Sequence, residues 1–293
     1  MKIKKAVIPI AGKGTRLLPA TKQIPKEMIP VVDRPIIHYA VEEAVQSGIE
    51  QIIFVTSREK EVVENYFDRN RELETFLKEK NKNQYLDIVS NVARMADIVT
   101  IRQKEPLGLG HAILRTRDII ANEPFAVILP DDITLAEKPV TRQLMDVSFS
   151  RDNASVIGVM EVKKEEIHRY GVISGDFLNK STQTLSVKSM VEKPRKNPPS
   201  NLATPGRYIL HPAIFDYLDQ IDPGSGGEYQ LTDAINLLSQ NYPVLAHIFI
   251  GDRFDTGNIP GLLNANIELA LRRPEIKEDM IRIIKDKISR YNL

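Results

Sequence analysis

The chain has 293 residues, of which 42% are hydrophobic and 27% charged, and its 40 Lys plus Arg nearly balance 39 Asp plus Glu. A formal charge of +1 gives no global field for nucleic acid or an anionic membrane, so any anion site must be local. The lack of cysteine excludes disulfides, thiolate catalysis and cysteine-based zinc sites, and no apolar run approaches the roughly 18 residues of a membrane helix. The basic start precedes only a short apolar run, "KAVIPI" (5–10), which reads as a first strand rather than a signal peptide. The segment "PIIHYAVEEAVQSG" has helical periodicity and stops at Gly48, a plausible cap. Strand-like "QIIFVTS" is followed by a charged helical run from Arg58 to about Lys80. "KEKNKNQ" reads as a solvated loop. Then come strand "IVTIRQ", helix "GHAILRTRDII" and strand "PFAVILPDD", which closes at Asp131. Strands and helices alternating at this length predict a parallel, three-layer α/β sheet covered on both faces.

The second half is less regular. "ASVIGVMEV" is strand-like, "GVISG" and "TLSVKSMVEKP" resemble hairpin material, and "PRKNPPSNLATPG" is a proline-rich loop. A strand turns into a helix in "GRYILHPAIFDYL". Helix "EYQLTDAINLLSQ", strand "VLAHIFIG" and helix "PGLLNANIELALRR" follow. Pro274 starts a last helix, whose Ile276, Met280, Ile283, Ile284 and Ile288 form a stripe that suits the chain's own core or a second subunit. The pattern predicts one domain with a β-rich insertion after Asp131 and a helical extension at the end.

The stretch "AGKGTRLLPATKQIPKEMIP" (11–30) needs its own account, because a packed core requires none of it. Gly12 and Gly14 directly after a strand let backbone N–H groups approach a ligand, at the sheet edge where α/β folds bind theirs. Arg16, Lys22 and Lys26 supply cations for phosphates. The stretch is neither a P-loop, since no Lys-Ser/Thr follows the spacer, nor the dinucleotide fingerprint, since Leu17 stands at the third glycine. A dehydrogenase is thereby disfavoured. Two carboxylates end "VILPDD", where a buried strand end tolerates them best beside a cation. The histidines at 38, 111, 168, 211 and 247 show no ligand spacing and read as structural.

The stretch "AGKGTRLLPATKQIPKEMIPVVDRPII" resembles the signature loop of the sugar-1-phosphate nucleotidyltransferases. Its "PKEM" form is similar to that of the bacterial UTP–glucose-1-phosphate uridylyltransferase branch, where thymidylyl relatives more usually carry glutamine-leucine. The likeness continues in order through "FVTSREKEVVENYFD", "IRQKEPLGLGHAI", "VILPDD", "YGVISG", "MVEKP", "GRYIL", "GEYQLTDAI" and "FDTGNIPGLLNANIELAL", covering about residues 3–272.

The resemblance implies a Rossmann-like α/β fold with a mixed, mainly parallel sheet and a β-rich sugar-binding insertion. Residues 1–272 would be the nucleotidyltransferase domain, 1–135 mainly for nucleotide and 136–272 mainly for sugar phosphate, with 273–293 a C-terminal helix available for oligomerisation. It implies nucleotide contacts at Ala11, Gly12, Gly14, Thr15, Arg16, Lys26, Gln103 and Gly108. Gln103 would satisfy the uracil imide with one acceptor and two donors; its residue type alone also fits a polar strand end. Gly171, Glu192 and Lys193 would take the sugar phosphate, although adjacent strand residues face opposite ways unless the strand ends before Pro194. Asp131 would hold Mg²⁺, with Asp255 a second metal-associated carboxylate and Asp132 either an exposed turn residue or a support from behind. Arg16, Lys26, Asp131 and Lys193 would be the catalytic set. The implied reaction joins UTP and glucose 1-phosphate into UDP-glucose and pyrophosphate, in a cytoplasmic homodimer or larger homo-oligomer with neither nucleic acid nor membrane as partner. Another sugar phosphate, dTTP, or a catalytically weak regulatory homologue are the alternatives.

Overall fold

The computed structural model describes residues 2–292. Fourteen strands lie among them: β1 (Lys5–Pro9), β2 (Pro30–Val31), β3 (Arg34–Pro35), β4 (Gln51–Thr56), β5 (Asp97–Arg102), β6 (Phe125–Ile128), β7 (Asp132–Leu135), β8 (Ser155–Glu161), β9 (Gly171–Asn179), β10 (Thr184–Glu192), β11 (Leu202–Thr204), β12 (Arg207–Leu210), β13 (Val244–Ile248) and β14 (Asp252–Asp255). Ten of them form one sheet in the order β11-β9-β10-β13-β8-β12-β6-β1-β4-β5. Alternate residues of its central strands feed separate cores. Val7, Ile53, Val55 and Val127 pack on one face with helices Gly108–Leu114 and Leu231–Leu238. Ala6, Ile8, Ile52, Phe54, Ala126 and Ile128 pack on the other with Ile36–Gln46 and Val140–Phe149. Burial on both faces makes the three layers that the apolar runs predicted.

The sheet is mixed α/β architecture, and "mainly parallel" does not describe it. β1–β4, β1–β6, β4–β5 and β8–β13 pair in parallel. Six pairings are antiparallel: β6–β12, β8–β12, β8–β11, β9–β11, β9–β10 and β10–β13. The reason lies at β12. It enters between β6 and β8 antiparallel to both, and its four residues are fully covered, so its composition matches that of a buried parallel strand. The parallel pattern therefore holds in the first half and breaks where the chain returns through the insertion.

Outside the main sheet, β7 and β14 form a two-stranded ribbon. Ile133, Phe254, Val31 and Leu269 bury together under it and tie it to the helix Ile259–Leu271. In the ribbon β7 follows β6 and β14 follows β13, so their pairing sets residues 252–255 against residues 132–135. The C-terminal helix, Pro274–Tyr291, has no buried residue, and Ile283 and Ile288 stay 50% and 46% exposed.

Candidate active site

The loop after β1 is built from three short 3₁₀ turns, Thr15–Leu17, Ala20–Lys22 and Lys26–Met28. Gly14 turns the chain with φ of 66°, and a Cβ there would lie 3.0 Å from the Lys26 Cβ. The Thr21 hydroxyl donates to the Gly14 carbonyl at 2.8 Å. The loop thus folds back on itself and delivers Lys26 across the sheet edge to Asp131, with Nζ 2.7 Å from Oδ2. Arg16 reaches the same oxygen at 3.6 Å from the solvent side.

Burial works against ionising Asp131, but Lys26 and Arg16 outweigh it and hold its carboxyl below the usual range. Burial likewise opposes the Lys26 ammonium, and Asp131 with Glu27 more than restores it. The pair is charged throughout the neutral range.

Asp255 joins this group through the β7–β14 register, which sets it directly opposite Asp132. Like charges facing across a ribbon are unfavourable, and two arginines answer them. Arg253 pairs with Asp132 and lies 3.8 Å from Asp255, while Arg169 pairs with Asp255. Asp132 is therefore no exposed turn residue. It is 8% exposed, and burial together with the Asp131 and Asp255 charges pushes its carboxyl up to about 7 against the pull of Arg253.

Gly257 follows this ribbon, and the space over its Cα is ringed by charge. A Cβ at Gly257 would meet Arg16 Nη2 at 2.8 Å, Asp131 Oδ2 at 3.1 Å and Asp255 Oδ1 at 3.1 Å. The Gly257 N–H also donates to Asp255 Oδ1 at 3.0 Å. Two carboxylate oxygens converging on one small space fit a hard divalent cation that takes its remaining ligands from phosphate and water. Among the described residues no cluster of three or more His, Cys, Asp or Glu is arranged to hold a metal, so these two carboxylates are what the chain offers there.

The residues expected to contact the base form a second group. Ala11, Gly12, Lys60 and Gln103 line one cleft. Gln103 is buried, and its Nε2 donates to the Gly108 carbonyl at 3.0 Å and meets His111 Nδ1 at 3.0 Å. Among the described residues its Oε1 has no such contact. His111 helps to hold Gln103 in this orientation. Gly108, with φ of 91°, is a glycine because a Cβ would strike Glu228 at 2.7 Å, so "PLGLG" and "GEYQ" interlock there.

Sequence reasoning missed Lys60 and Glu27. The Lys60 ammonium donates to the Gly12 carbonyl at 2.9 Å and to Glu27 Oε2 at 2.6 Å. Burial lowers the pKa of Lys60 and raises that of Glu27, each opposed by the other's charge. Glu27 Oε1 is buried with no hydrogen-bond partner. The only signal was the glutamate of "PKEM", which composition cannot tell from a surface charge.

The sugar-phosphate candidates form a third group. β10 ends at Glu192, and Lys193 takes φ of 46°, a left-handed conformation that costs a residue with a Cβ. The turn removes the opposite-face problem: Lys193 Nζ comes back to 3.2 Å from Glu192 Oε1. Gly171 faces Glu192 across the β9–β10 pairing, and a Cβ there would sit 3.2 Å from Glu192 Oε2. Tyr170 ties this group to the carboxylates, since its carbonyl accepts from Lys193 N at 3.0 Å and its hydroxyl accepts from Arg253 at 2.7 Å.

A basic glycine loop, a charged cradle and a sugar-side turn, set along one edge of a three-layer sheet, define a nucleotidyl-transferring class of site. Residues 5–271 match the family model described as nucleotidyl transferase, and the chain belongs to that family. It is 50% identical to the UTP–glucose-1-phosphate uridylyltransferase of Staphylococcus haemolyticus (strain JCSC1435), over 97% of this chain and 98% of the relative. It is 48% identical to that of Bacillus subtilis (strain 168), over 100% and 99%. Among solved structures it is similar to a UDP-glucose pyrophosphorylase complexed with UDP-glucose, with a TM-score of 0.84 at 41% identity, covering 93% of this chain and 100% of that one. It also matches a UTP-bound UGPase from Acinetobacter baumannii, with a TM-score of 0.87 at 38% identity, over 97% and 99%.

Proposed function

We propose that this chain is a UTP–glucose-1-phosphate uridylyltransferase, making UDP-glucose and pyrophosphate. The observation that carries the reading is the Asp131 carboxylate, held by Lys26 and Arg16 and sharing the space over Gly257 with Asp255. In the reaction a phosphate oxygen of glucose 1-phosphate attacks the α-phosphorus of UTP. The bond from that phosphorus to the bridging oxygen breaks, and pyrophosphate leaves with the electron pair. The attacking oxygen is already ionised, so no general base is required. Lys26 has one donor on Asp131 and two left for phosphate oxygens; Arg16, 61% exposed at its side chain, is free to follow the charge onto the leaving group. Lys193 and Glu192 bind the sugar phosphate and sugar hydroxyls, with Gly171 beneath them. Asp131 and Asp255 would hold Mg²⁺, which neutralises phosphate charge and orients the triphosphate.

We assign residues 1–135 mainly to the nucleotide and 136–272 mainly to the sugar phosphate, with Asp255 joining the first group from the second half. For the base, Ala11 and Gly12 offer backbone, and Gln103 Oε1 remains open as an acceptor. A pyrophosphate-release panel tests the assignment. Turnover should be highest with UTP plus glucose 1-phosphate and lower with dUTP and dTTP, which lack the 2′-hydroxyl. Equal rates with UTP and dTTP would remove the uridylyl label, and no release with any pair would leave only a regulatory protein.

The cytoplasm is the compartment this reading implies, and no helix among the described residues is long and apolar enough to cross a membrane. We also assign the C-terminal helix to a contact between copies. Ile276, Met280 and Ile284 are partly covered, whereas Ile283 and Ile288 are not, nor are Ile259 and Leu263 of the preceding helix. Deleting 274–293 should lower the particle mass measured by light scattering. An unchanged mass per oligomer, after allowance for the deleted residues, would assign the helix to intrachain packing.

A further inference from the structure

We propose that Arg207 is a positioning residue that fixes the backbone turn carrying Asp131, with Glu43 as its anchor. The proposal rests on the reading of Asp131 as the catalytic carboxylate. Arg207 begins β12 and is 1% exposed, among the largest fully buried side chains of the protein. Its guanidinium spans the turn from below: Nη1 donates to the Leu129 carbonyl at 2.9 Å and Nη2 to the Asp132 carbonyl. Between those two carbonyls lie only Pro130 and Asp131. Pro130 has no N–H to help hold the turn. The Asp131 carbonyl accepts from the Thr256 amide and hydroxyl, both at 2.8 Å, and so locks the turn to the segment bearing Asp255 and Gly257.

Glu43 completes the device from the helix Ile36–Gln46. Its two oxygens accept from Arg207 Nε at 3.1 Å each and from Nη2 at 2.9 Å. They also accept from the Thr141 amide at 3.0 Å, the Thr141 hydroxyl at 2.6 Å and the Thr134 hydroxyl at 2.7 Å. Burial opposes its charge, but Arg207 and the hydroxyl donors hold its carboxyl below the usual range. Stability alone does not explain such a pair, because apolar residues of the same volume often serve a core as well or better. What an apolar pair cannot do is grip two carbonyls on either side of one aspartate. Only a planar fork has donors spaced for that task.

Arg207→Lys keeps the positive charge opposite Glu43, yet one ammonium cannot hold both carbonyls. Its turnover should fall about 100-fold, the scale expected when a reacting group is displaced by about an ångström, with the KM for UTP little changed. In the substrate-free protein, the Thr256 amide should lose hydrogen-exchange protection, because its acceptor is the loosened turn. The double variant Arg207→Met, Glu43→Gln removes both charges and should show the same two losses in a folded protein, its melting temperature lowered because the Leu129 and Asp132 carbonyls lose their donor. Wild-type turnover and wild-type Thr256 protection in either folded variant would overturn the proposal. Unfolding of both would assign the pair to stability and overturn it too. Asp131→Asn run alongside separates the premises: if that variant also turns over normally, the reading of Asp131 has failed, whereas an inactive Asp131→Asn beside active Arg207 variants sinks the positioning role alone.

Discussion

Asp131→Asn is expected to reduce turnover on the order of 10²–10³-fold, the range for removing one preorganised electrostatic group, with the fold retained. The substitution keeps the shape and one oxygen but deletes the charge that faces Lys26, Arg16 and the space over Gly257. The site is still open to water on the Arg16 side, so the lost ion pair costs the fold less than a sealed pair would. The pH dependence follows from the two shifts. Asp131 titrates below its ordinary 3.8, so its contribution to stability is present above that value and is lost only as pH falls through the lower, folded pKa. Lys26 titrates above its ordinary 10.5, so its contribution is present below that value and is lost only as pH rises through the higher, folded pKa. Between about pH 4 and 10 this pair should therefore add no inflection to a pH–rate profile. Steady-state kinetics beside thermal unfolding checks all of this; near-normal turnover, or a collapsed fold in place of lost activity, removes Asp131 from the mechanism.

Asp132→Asn makes the informative control, since the adjacent carboxylate is engaged differently. Its partner Arg253 is 11% exposed at the side chain and would be left without its closest counter-charge, next to Asp255 and the Tyr170 hydroxyl. Removing one member of a buried pair costs on the order of 3–5 kcal/mol, and less below about pH 7, where the Asp132 carboxyl is itself largely neutral. The loss should appear mainly in the melting temperature rather than in turnover, opposite to the pattern at Asp131.

What could be read ahead of the structure was whatever a short stretch of chain determines. A strand followed by Gly12 and Gly14 places backbone at a sheet edge, and "VILPDD" places a carboxylate there, with no knowledge of distant residues. "VEKP" poses the condition that the strand end or twist before Pro194, and it ends at Glu192, with Lys193 at a positive φ. Features made by distant partners stayed hidden. Lys60 sits in "SREKEVV", which reads as a solvated charged run, and only Glu27 and the Gly12 carbonyl make it a buried residue. Glu43, in an amphipathic "VEEAV", shows its role only once Arg207 arrives from 164 positions along the chain. β11 hides in a proline-rich stretch because its pairing with β8 and β9, rather than its propensity, makes it a strand. The helix Asn83–Val92 was overlooked for the converse reason: it buries no residue, so its apolar periodicity is weak against the polar run before it. Strand direction is not written in apolar content at all, which is why "GRYIL" reads as a strand with no sign that β12 runs antiparallel to both neighbours.

Gly257→Ala is expected to abolish turnover almost as fully as loss of Asp131, by adding a single methyl group. The backbone there is not in the left-handed region, so alanine brings no conformational strain, and the ribbon and helix on either side can remain as they are. The new Cβ would occupy the point that now lies 3.1 Å from Asp131 Oδ2, 3.1 Å from Asp255 Oδ1 and 2.8 Å from Arg16 Nη2. Arg16 is the end of a long, exposed side chain and can swing away. The carboxylates cannot: Lys26 holds one, Arg169 and the Gly257 amide hold the other. The methyl would therefore fill the space where two carboxylate oxygens converge and would exclude any cation or phosphate oxygen from it. Turnover should fall at least 100-fold, the scale of a displaced reacting group, and raising Mg²⁺ should not restore it. The base contacts proposed for Ala11, Gly12 and Gln103 belong to a cleft that Gly257 does not line, and calorimetry without added metal should find UTP binding within a few-fold of the parent. Full activity in Gly257→Ala would mean that the chemistry takes place elsewhere along the sheet edge, and a large loss of metal-free UTP affinity would mean that the base end and the cradle are not separate.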